Sequence, residues 1–343
     1  MTLVQKTRYP WDGAVQIIVE PEGRSEFALC LRVPGWCEGA AVRLNGQALA
    51  DAKPQDGFLA VRRTWASGDL LDLDLPMPIR RVESPPEVKA NEGRLAVQRG
   101  PIVYCLERAD HPCSVRQVAL PRDAKLEAKF QPDLLGGVVV VKGQGLRGGF
   151  AAKDDGSIAQ AVEPVEITAI PYYAWDNRTP GEMVVWTPTA LAPAMAPGDA
   201  TVALLAKPSA SHCHSADAMG ALNDGVLPKS SSDLDIPRFT WWDHRGTAEW
   251  VAYEFDKPVL LSKAEVYWFD DTGKGQCRVP KSWRLLWRDG DQWRPVEGAG
   301  AYGVERDKLN LVTFQPVTAR AIRIEVQLQP GFSGGILEWR LPK

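Results

Sequence analysis

The sequence predicts an all-β protein built from consecutive antiparallel β-sandwiches, and three observations carry that prediction. Apolar residues recur at every second position through most of the chain, the period of a half-buried strand. Gly, Pro, Asn and Asp punctuate these runs at short intervals, as turns require. No stretch shows a helical period of useful length. With 343 residues the chain is long enough for two or three domains, each with its own core.

Residues 1–90 read as a first sandwich. Val15, Ile17 and Val19 share a face, as do Phe27, Leu29 and Leu31. Asn45-Gly46 predicts a two-residue hairpin, because both positions tolerate positive φ. Leu71, Leu73 and Leu75 alternate with Asp72 and Asp74, and Pro76-Met77-Pro78 ends that strand.

Residues 91–188 read as a second sandwich. In the string NEGRLAVQRGPIVYCLE over 91–107, Leu95 and Val97 share one side of a strand. Residues 102–106 are apolar on both faces, which suits a strand between two layers. Gly100-Pro101 between them predicts a corner where one ladder ends and another begins. Residues 138–141, 165–170 and 182–186 read as further strands. The segment 171–178 sets Tyr172, Tyr173 and Trp175 beside Asp176, Asn177 and Arg178. Such a cluster can bind sugar; packing where domains meet is the simpler role, since aromatics dominate core and interface energetics.

Residues 189–209, rich in Ala and Pro, predict a linker with one strand at Val202–Leu205. Eight of the 13 Trp then fall between Trp241 and Trp339, which marks residues 210–343 as a separate domain. Its strands are again period-2: Val251, Tyr253 and Phe255; Trp283, Leu285 and Trp287; Ala321, Ile322, Ile324 and Val326.

Composition narrows the function classes. A 45% hydrophobic and 24% charged chain is ordinary globular material. A net charge of −3 gives no electrostatic reason to expect nucleic acid or an anionic membrane as partner. No apolar run approaches the ~18 residues of a transmembrane helix. The N-terminal MTLVQKTRYPWDG has no signal-peptide core and runs straight into strand-like sequence, as a start inside a larger gene would. The compartment stays open. The six cysteines are too few and too scattered for a disulfide framework, and Cys30 and Cys105 read as small buried hydrophobes.

Several groups invite a chemical role. His212 and His214, with Cys213 and Asp217, suggest a metal, but metal sites need three or four converging ligands. Exposed polar residues at a domain entrance are the simpler account. Asp270-Asp271 is the best-placed carboxylate pair for glycosidase chemistry. Neighbours on a strand face opposite ways, however, and Asp-Thr-Gly is turn chemistry. The loops at 242–245 and 270–278 are polar, contain or adjoin Gly, and are flanked by aromatics. Sugar sites pair a stacking ring with directional polar groups, which makes Trp242, His244, Asp271 and Arg278 the candidate binding residues. Trp241 and Trp250 read as core. The alternative for these loops is docking between domains.

The string at 91–107 closely resembles a signature of the β-L-arabinofuranosidase-like glycoside hydrolases of family 127. Three others agree in order: Tyr9-Pro-Trp-Asp-Gly13, Leu31-Arg-Val-Pro-Gly-Trp36 and Ala169-Ile-Pro-Tyr-Tyr-Ala-Trp-Asp-Asn-Arg178. The resemblance implies the β-rich region that follows a helical catalytic barrel acting on terminal β-L-arabinofuranosides. It further implies a cysteine thiolate nucleophile, a glutamate acid/base and a zinc ion held by cysteines and a glutamate, all in that barrel. The adjacent Cys-Cys pair this chemistry requires is absent, so no catalytic residue carries over and zinc is expected only in the missing barrel.

Residues 210–343 resemble a discoidin-type domain, the jelly roll of carbohydrate-binding modules of family 32. The carrying strings are Ala221-Leu-Asn-Asp-Gly225, Phe239-Thr-Trp-Trp242, Trp250-Val-Ala-Tyr-Glu-Phe255 and Ile336-Leu-Glu338. This resemblance implies a structural calcium bound by loop carbonyls, an early Asp and a late Glu, matched here by Asp224 and Glu338. The alternative is that Asp224 merely closes a turn. The expectation is a non-catalytic C-terminal part of such a hydrolase. Its partners would be a plant-type glycan containing arabinose or galactose, and the catalytic barrel. A purely structural scaffold and an independent hydrolase are the competing readings.

Overall fold

The computed structural model describes residues 1–49, 53–153, 158–179, 181–191 and 200–342. Among them regular structure is strand and short 3-10 turns, as the period-2 pattern predicts. No helix among the described residues is long and apolar enough to cross a membrane.

The first strands are β1 (Thr2–Thr7), β2 (Ala14–Glu20), β3 (Ser25–Arg32), β4 (Ala41–Leu44), β5 (Gln47–Ala48), β6 (Phe58–Trp65) and β7 (Asp69–Asp74). They form an antiparallel sheet in the order β1-β2-β7-β4-β5, faced by the β3–β6 pair. Val15, Ile17 and Val19 meet Leu31, Leu59 and Trp65 between the layers. Trp65 is fully buried and donates its indole N–H to the Phe27 carbonyl at 3.0 Å, so the polar end of the ring is satisfied. Asn45 and Gly46 both take positive φ, 50° and 81°, at the tip of the β4–β5 hairpin. Cys30 corrects an expectation. It is exposed, because it falls on the outward phase between Leu29 and Leu31.

The second sheet contains β8 (Ile79–Val82), β9 (Arg94–Arg99), β10 (Ile102–Glu107), β11 (Val118–Ala119), β12 (Leu126–Gln131), β13 (Val138–Ala152), β14 (Ile158–Pro171), β15 (Met183–Val184) and β16 (Thr187–Pro188). Its order is β11-β13-β14-β10-β9-β16, with β8 on β9. The chain enters it immediately after Pro76-Met77-Pro78. Strand β10 is covered on one face throughout, where Ile102, Tyr104 and Leu106 join one apolar cluster, and on the other only from Cys105 onward, which joins Val138, Val140 and Ile170. Val103 on that face is exposed, so the expected two-sided burial holds for half the strand. The corner at Gly100-Pro101 is not a break between ladders. Arg99 pairs with Ile102, so β9 and β10 are one hairpin with a two-residue loop. Gly100 supplies φ of 55° at the first loop position, and Pro101 sits where no ladder donor is needed. The strand expected over 182–186 shrinks to the two residues of β15.

The last strands are β17 (Lys207–Ala210), β18 (Phe239–Thr240), β19 (Ala248–Phe269), β20 (Ser282–Asp289), β21 (Gln292–Pro295), β22 (Leu309–Gln327) and β23 (Gly335–Arg340). β19 and β22 pair along most of their lengths, with register shifts between Glu254 and Val259 and between Leu261 and Lys263. Irregularities of this kind bend strands, and the sheet wraps round a core rich in Phe239, Trp241, Trp268, Trp283 and Trp339. Tyr253 stacks on Trp339 at 3.9 Å, and its hydroxyl reaches the Leu222 carbonyl at 2.6 Å. Val202–Leu205 is a 3-10 turn rather than a strand: Val202 and Ala203 insert into this core, which a turn allows and an isolated strand would not. Residues 192–199 of the expected linker lie outside the described residues. Ile158, at the start of β14, packs against the same core and ties the second sheet to the last unit.

Candidate functional site

Three loops at one end of the last unit are stitched together by backbone hydrogen bonds. Trp241 N–H donates to the Gly334 carbonyl at 3.0 Å, Gly246 N–H to Phe332 at 3.0 Å, and Arg278 N–H to Ser333 at 2.9 Å. Ser333 N–H returns to the Gln276 carbonyl at 3.0 Å. The resulting rim carries two aromatic rings, each under a guanidinium. The Arg245 guanidinium carbon lies 4.6 Å from the centre of the Trp242 ring, and that of Arg278 lies 4.5 Å from the centre of Phe332. Stacking of this type holds ring and cation in fixed relation.

Each expected residue has a definite place here. Trp242 is half-buried and packs against the cluster of Tyr267, Phe269, Cys277 and Leu337, so part of its ring is committed to the protein. Asp271 accepts from the Cys277 N–H at 2.8 Å, and its carbonyl accepts from Lys274 and Gly275. Arg278 donates to the carbonyls of Cys277 at 2.7 Å and Gly275 at 3.1 Å, with Asp271 at 3.4 Å. Asp271 and Arg278 therefore shape the 271–278 loop. Asp270 accepts from Thr272 N–H at 3.0 Å and Val279 N–H at 3.1 Å, which spends the carboxylate pair on turn geometry. Sequence reasoning missed Phe332. A lone aromatic between Pro330-Gly331 and Ser333-Gly334 was the available signal.

His244 belongs to a separate cluster beside the rim. Its ring stacks on His212 at 4.1 Å with planes 14° apart, and its Nδ1 lies 2.7 Å from Glu249 Oε1. His212 Nε2 donates to the Trp242 carbonyl at 2.7 Å. Glu249 is buried and also accepts from the hydroxyls of Thr247 and Ser211. Burial pushes its carboxyl up, but the hydrogen bonds from Ser211, Thr247 and His244 outweigh that and hold it below the ordinary range. His214 turns instead toward Asp217, 3.8 Å away, so the two histidines of the His212-x-His214 string do not converge. Among the described residues no group of three or more His, Cys, Asp or Glu is arranged to hold a metal.

The Asp224 and Glu338 carboxyl groups do meet. Glu338 is fully buried on β23, Gly225 N–H donates to its Oε2 at 3.3 Å, and Asp224 accepts from Val226 N–H at 2.8 Å. Burial pushes Asp224 up to about 7, and burial together with the Asp224 charge pushes Glu338 well up. The opposing field of Arg340 is too weak to restore Glu338. Two oxygen-donor groups held together at this cost are the kind of donor a hard cation takes, and they supply two of the roughly six to eight oxygens that calcium needs. The Asx turn at Asp224 is real as well: its Oδ1 accepts from the Val226 N–H.

A second surface lies where the first two sheets join. Trp11 packs against both apolar clusters of the second sheet, and its carbonyl accepts from Arg99 at 2.9 Å. Its ring lies 6.5 Å from that of Tyr173. Arg178 forks onto Asp110 at 2.7 and 2.6 Å and also bonds buried Glu107, which anchors the 171–178 segment. Tyr172, Tyr173 and Trp175 stand exposed on that anchored segment, Tyr173 by 63%, and Tyr9 is exposed two residues before Trp11. Burial pushes the thiols of Cys105 and Cys277 up to about 12 and Cys213 up to about 11.

Consecutive antiparallel β-units, two of them joined at an aromatic surface and the last carrying a stitched set of loops, make up the described chain. Residues 1–77 match the family description "Beta-L-arabinofuranosidase, GH127 middle domain" and residues 79–188 match "Glycoside hydrolase family 127 C-terminal domain". The chain belongs to glycoside hydrolase family 127 through these residues. It is 34% identical over 201 residues to a non-reducing end β-L-arabinofuranosidase of Bifidobacterium longum subsp. longum, covering 54% of this chain and 30% of that protein. A solved family 127 β-L-arabinofuranosidase from Geobacillus stearothermophilus T6 is 49% identical with a TM-score of 0.51, over 54% of this chain and 30% of its own. A second solved family 127 β-arabinofuranosidase is 32% identical with a TM-score of 0.50, over 55% of this chain and 31% of its own. The chain thus spans about a third of the length of these relatives.

Proposed function

We propose that this chain is the non-catalytic accessory part of a β-L-arabinofuranosidase-type hydrolase, and that its last unit binds glycan at the rim formed by the 241–246, 274–278 and 329–334 loops. The observation that carries the reading is the rim itself: two rings, Trp242 and Phe332, each fixed by an arginine on loops that backbone hydrogen bonds stitch together. Sugars are held in this way, by a ring against the C–H face and polar groups on the hydroxyls. The non-catalytic half of the reading is supported by the lack of an adjacent Cys-Cys pair in the sequence and by the burial that keeps the Cys105, Cys213 and Cys277 thiols protonated. Asp224 and Glu338 would hold a calcium ion that fixes the loop at 223–226 against β23; the ion's role there is structural.

Titration of the whole chain with arabinose-, galactose- and rhamnose-containing oligosaccharides tests this, followed by tryptophan fluorescence in calcium and then in chelator. Saturable quenching lost in Trp242→Ala and in Phe332→Ala is the expected result. A flat response to every oligosaccharide would falsify the rim as a glycan site.

A second reading concerns the first 188 residues, and the exposed aromatic face favours it. Tyr172, Tyr173 and Trp175 are anchored by the Arg178 fork, and Tyr173 adjoins Trp11. Contiguous exposed aromatics on a rigid mount mark a docking surface. Its occupant would be the helical catalytic domain of a family 127 enzyme. Such a domain, supplied as a separate chain, should bind this one and lose affinity on Tyr173→Asp. Undiminished binding by that variant counts against this face.

A further inference from the structure

We propose that an open groove on the outer face of the last sheet is a second carbohydrate site, distinct from the loop rim. This rests on the reading of the last unit as a glycan-binding domain and extends it to a surface with other residues. The groove measures about 440 Å³ and lies across β19, β22 and β20. That size falls within the range of about 300–1,000 Å³ typical of small-ligand sites.

The register explains how the groove forms. Trp250, Glu325 and Arg284 stand side by side on three neighbouring strands, and Ala248, Gln327 and Ser282 form the next row. Val251, Tyr253, Leu285 and Ile324 take the opposite phase and enter the core. Trp250 therefore points outward, and the expectation that it belongs to the core is corrected: it is half-exposed and forms a groove wall. On the row beyond it, the Arg323 guanidinium lies 4.4 Å from the Trp250 ring centre and 4.1 Å from that of Trp293. The arginine is clamped between two indoles. It braces Trp250 from the side away from the Ala248–Gln327–Ser282 row, which leaves the other indole face toward the groove.

Across from that face, Arg284 donates to Glu325 Oε2 through Nε at 2.9 Å and Nη2 at 2.7 Å. Both donors meet one carboxylate oxygen. The second carboxylate oxygen, Oε1, lies 3.7 Å from Arg323 Nη1, so Glu325 bridges the two arginines. The remaining Arg284 guanidinium nitrogen is the donor turned to the groove, with the outer lone pair of Oε1 as acceptor beside it. The exposed Ser282 hydroxyl adds a further polar group at the rim. A braced indole facing a planar donor–acceptor pair suits one ring of a neutral oligosaccharide, with its C–H face on Trp250 and vicinal hydroxyls on Arg284 and Glu325.

The test is calorimetric titration of the full chain with arabino- and galacto-oligosaccharides, in wild type and four variants. Trp250→Ala and Arg284→Ala address the groove; Trp242→Ala and Phe332→Ala address the rim. Arg284→Ala changes none of the three side chains of the Trp250–Arg323–Trp293 stack, so it reads the groove even if Trp250→Ala melts early. Each groove variant is expected to weaken binding of at least one oligosaccharide about tenfold, while a chain carrying both rim changes keeps the groove component. Full binding in both groove variants, with all binding lost on the rim changes, overturns the groove and leaves the rim standing. Loss on the groove changes alone keeps the groove and removes the rim. No binding by wild type overturns both.

Discussion

Glu249 shows how one side chain on the wrong phase of a strand can organise a site. Residues 249, 251, 253 and 255 share the inward phase of β19, and three of the four are apolar. A carboxylate in that series must find partners, and it finds Ser211, Thr247 and His244. Glu249→Gln keeps the shape but removes the charge from these bonds. Charge-assisted hydrogen bonds of this kind contribute about 1.5–3 kcal/mol each at most, so the variant should lose roughly 1–3 kcal/mol in urea unfolding. The depressed Glu249 carboxyl also sets a pH signature. Its contribution is present above the unfolded carboxylate value and is lost as pH falls through the lower folded value; the Gln variant should lack that acid-side loss. The phase of Glu249 was legible in the sequence. Its partners were not, because Ser211 and His244 reach it from other segments. Trp242 and Arg278 were legible as loop residues, but which ring meets which arginine depends on a third loop far along the chain.

At the scale of elements, the buried fork of Arg178 decides whether the 171–178 segment holds its shape. Arg178→Ala would leave the buried Glu107 charge with only the Asp176 N–H as partner, and breaking such a pair costs about 3–5 kcal/mol. A matching drop in the urea midpoint is expected, together with a red-shift of tryptophan emission as Trp175 loosens. An unchanged midpoint would show that the fork is surface decoration. Short elements were the readable ones. Asn45-Gly46 announces its hairpin because two consecutive positive φ values restrict the choice of residues. Long elements were harder. The 22 residues of β19 and the 19 of β22 exceed the ~10 of ordinary strands, and their irregular registers break the alternation that would reveal one continuous strand. Gly100-Pro101 misled because the same dipeptide that ends a ladder can also turn a hairpin. What selects the hairpin is the partner strand, which the local sequence does not contain.

Across the whole molecule the Asp224–Glu338 pair couples proton binding to the fold. Both carboxyls sit above the ordinary carboxylate value in the folded chain, Asp224 at about 7 against 3.8. The folded state therefore holds protons that the unfolded state releases between those values. Stability is fully present below the unfolded value and declines as pH rises through about 7. In chelator, the thermal midpoint should fall between pH 5 and pH 8, taking the last unit first. Calcium held by the deprotonated pair, as proposed above, would reverse the sign, because it would stabilise only the folded form. With excess calcium the midpoint should hold or rise over the same interval. Asp224→Asn separates these effects. It removes one charge of a repelling pair, so at pH 8 in chelator the variant should melt above wild type, while calcium should no longer raise its midpoint. Identical melts with and without calcium at pH 8 would remove the cation from the account and leave a proton shared between two buried carboxyls.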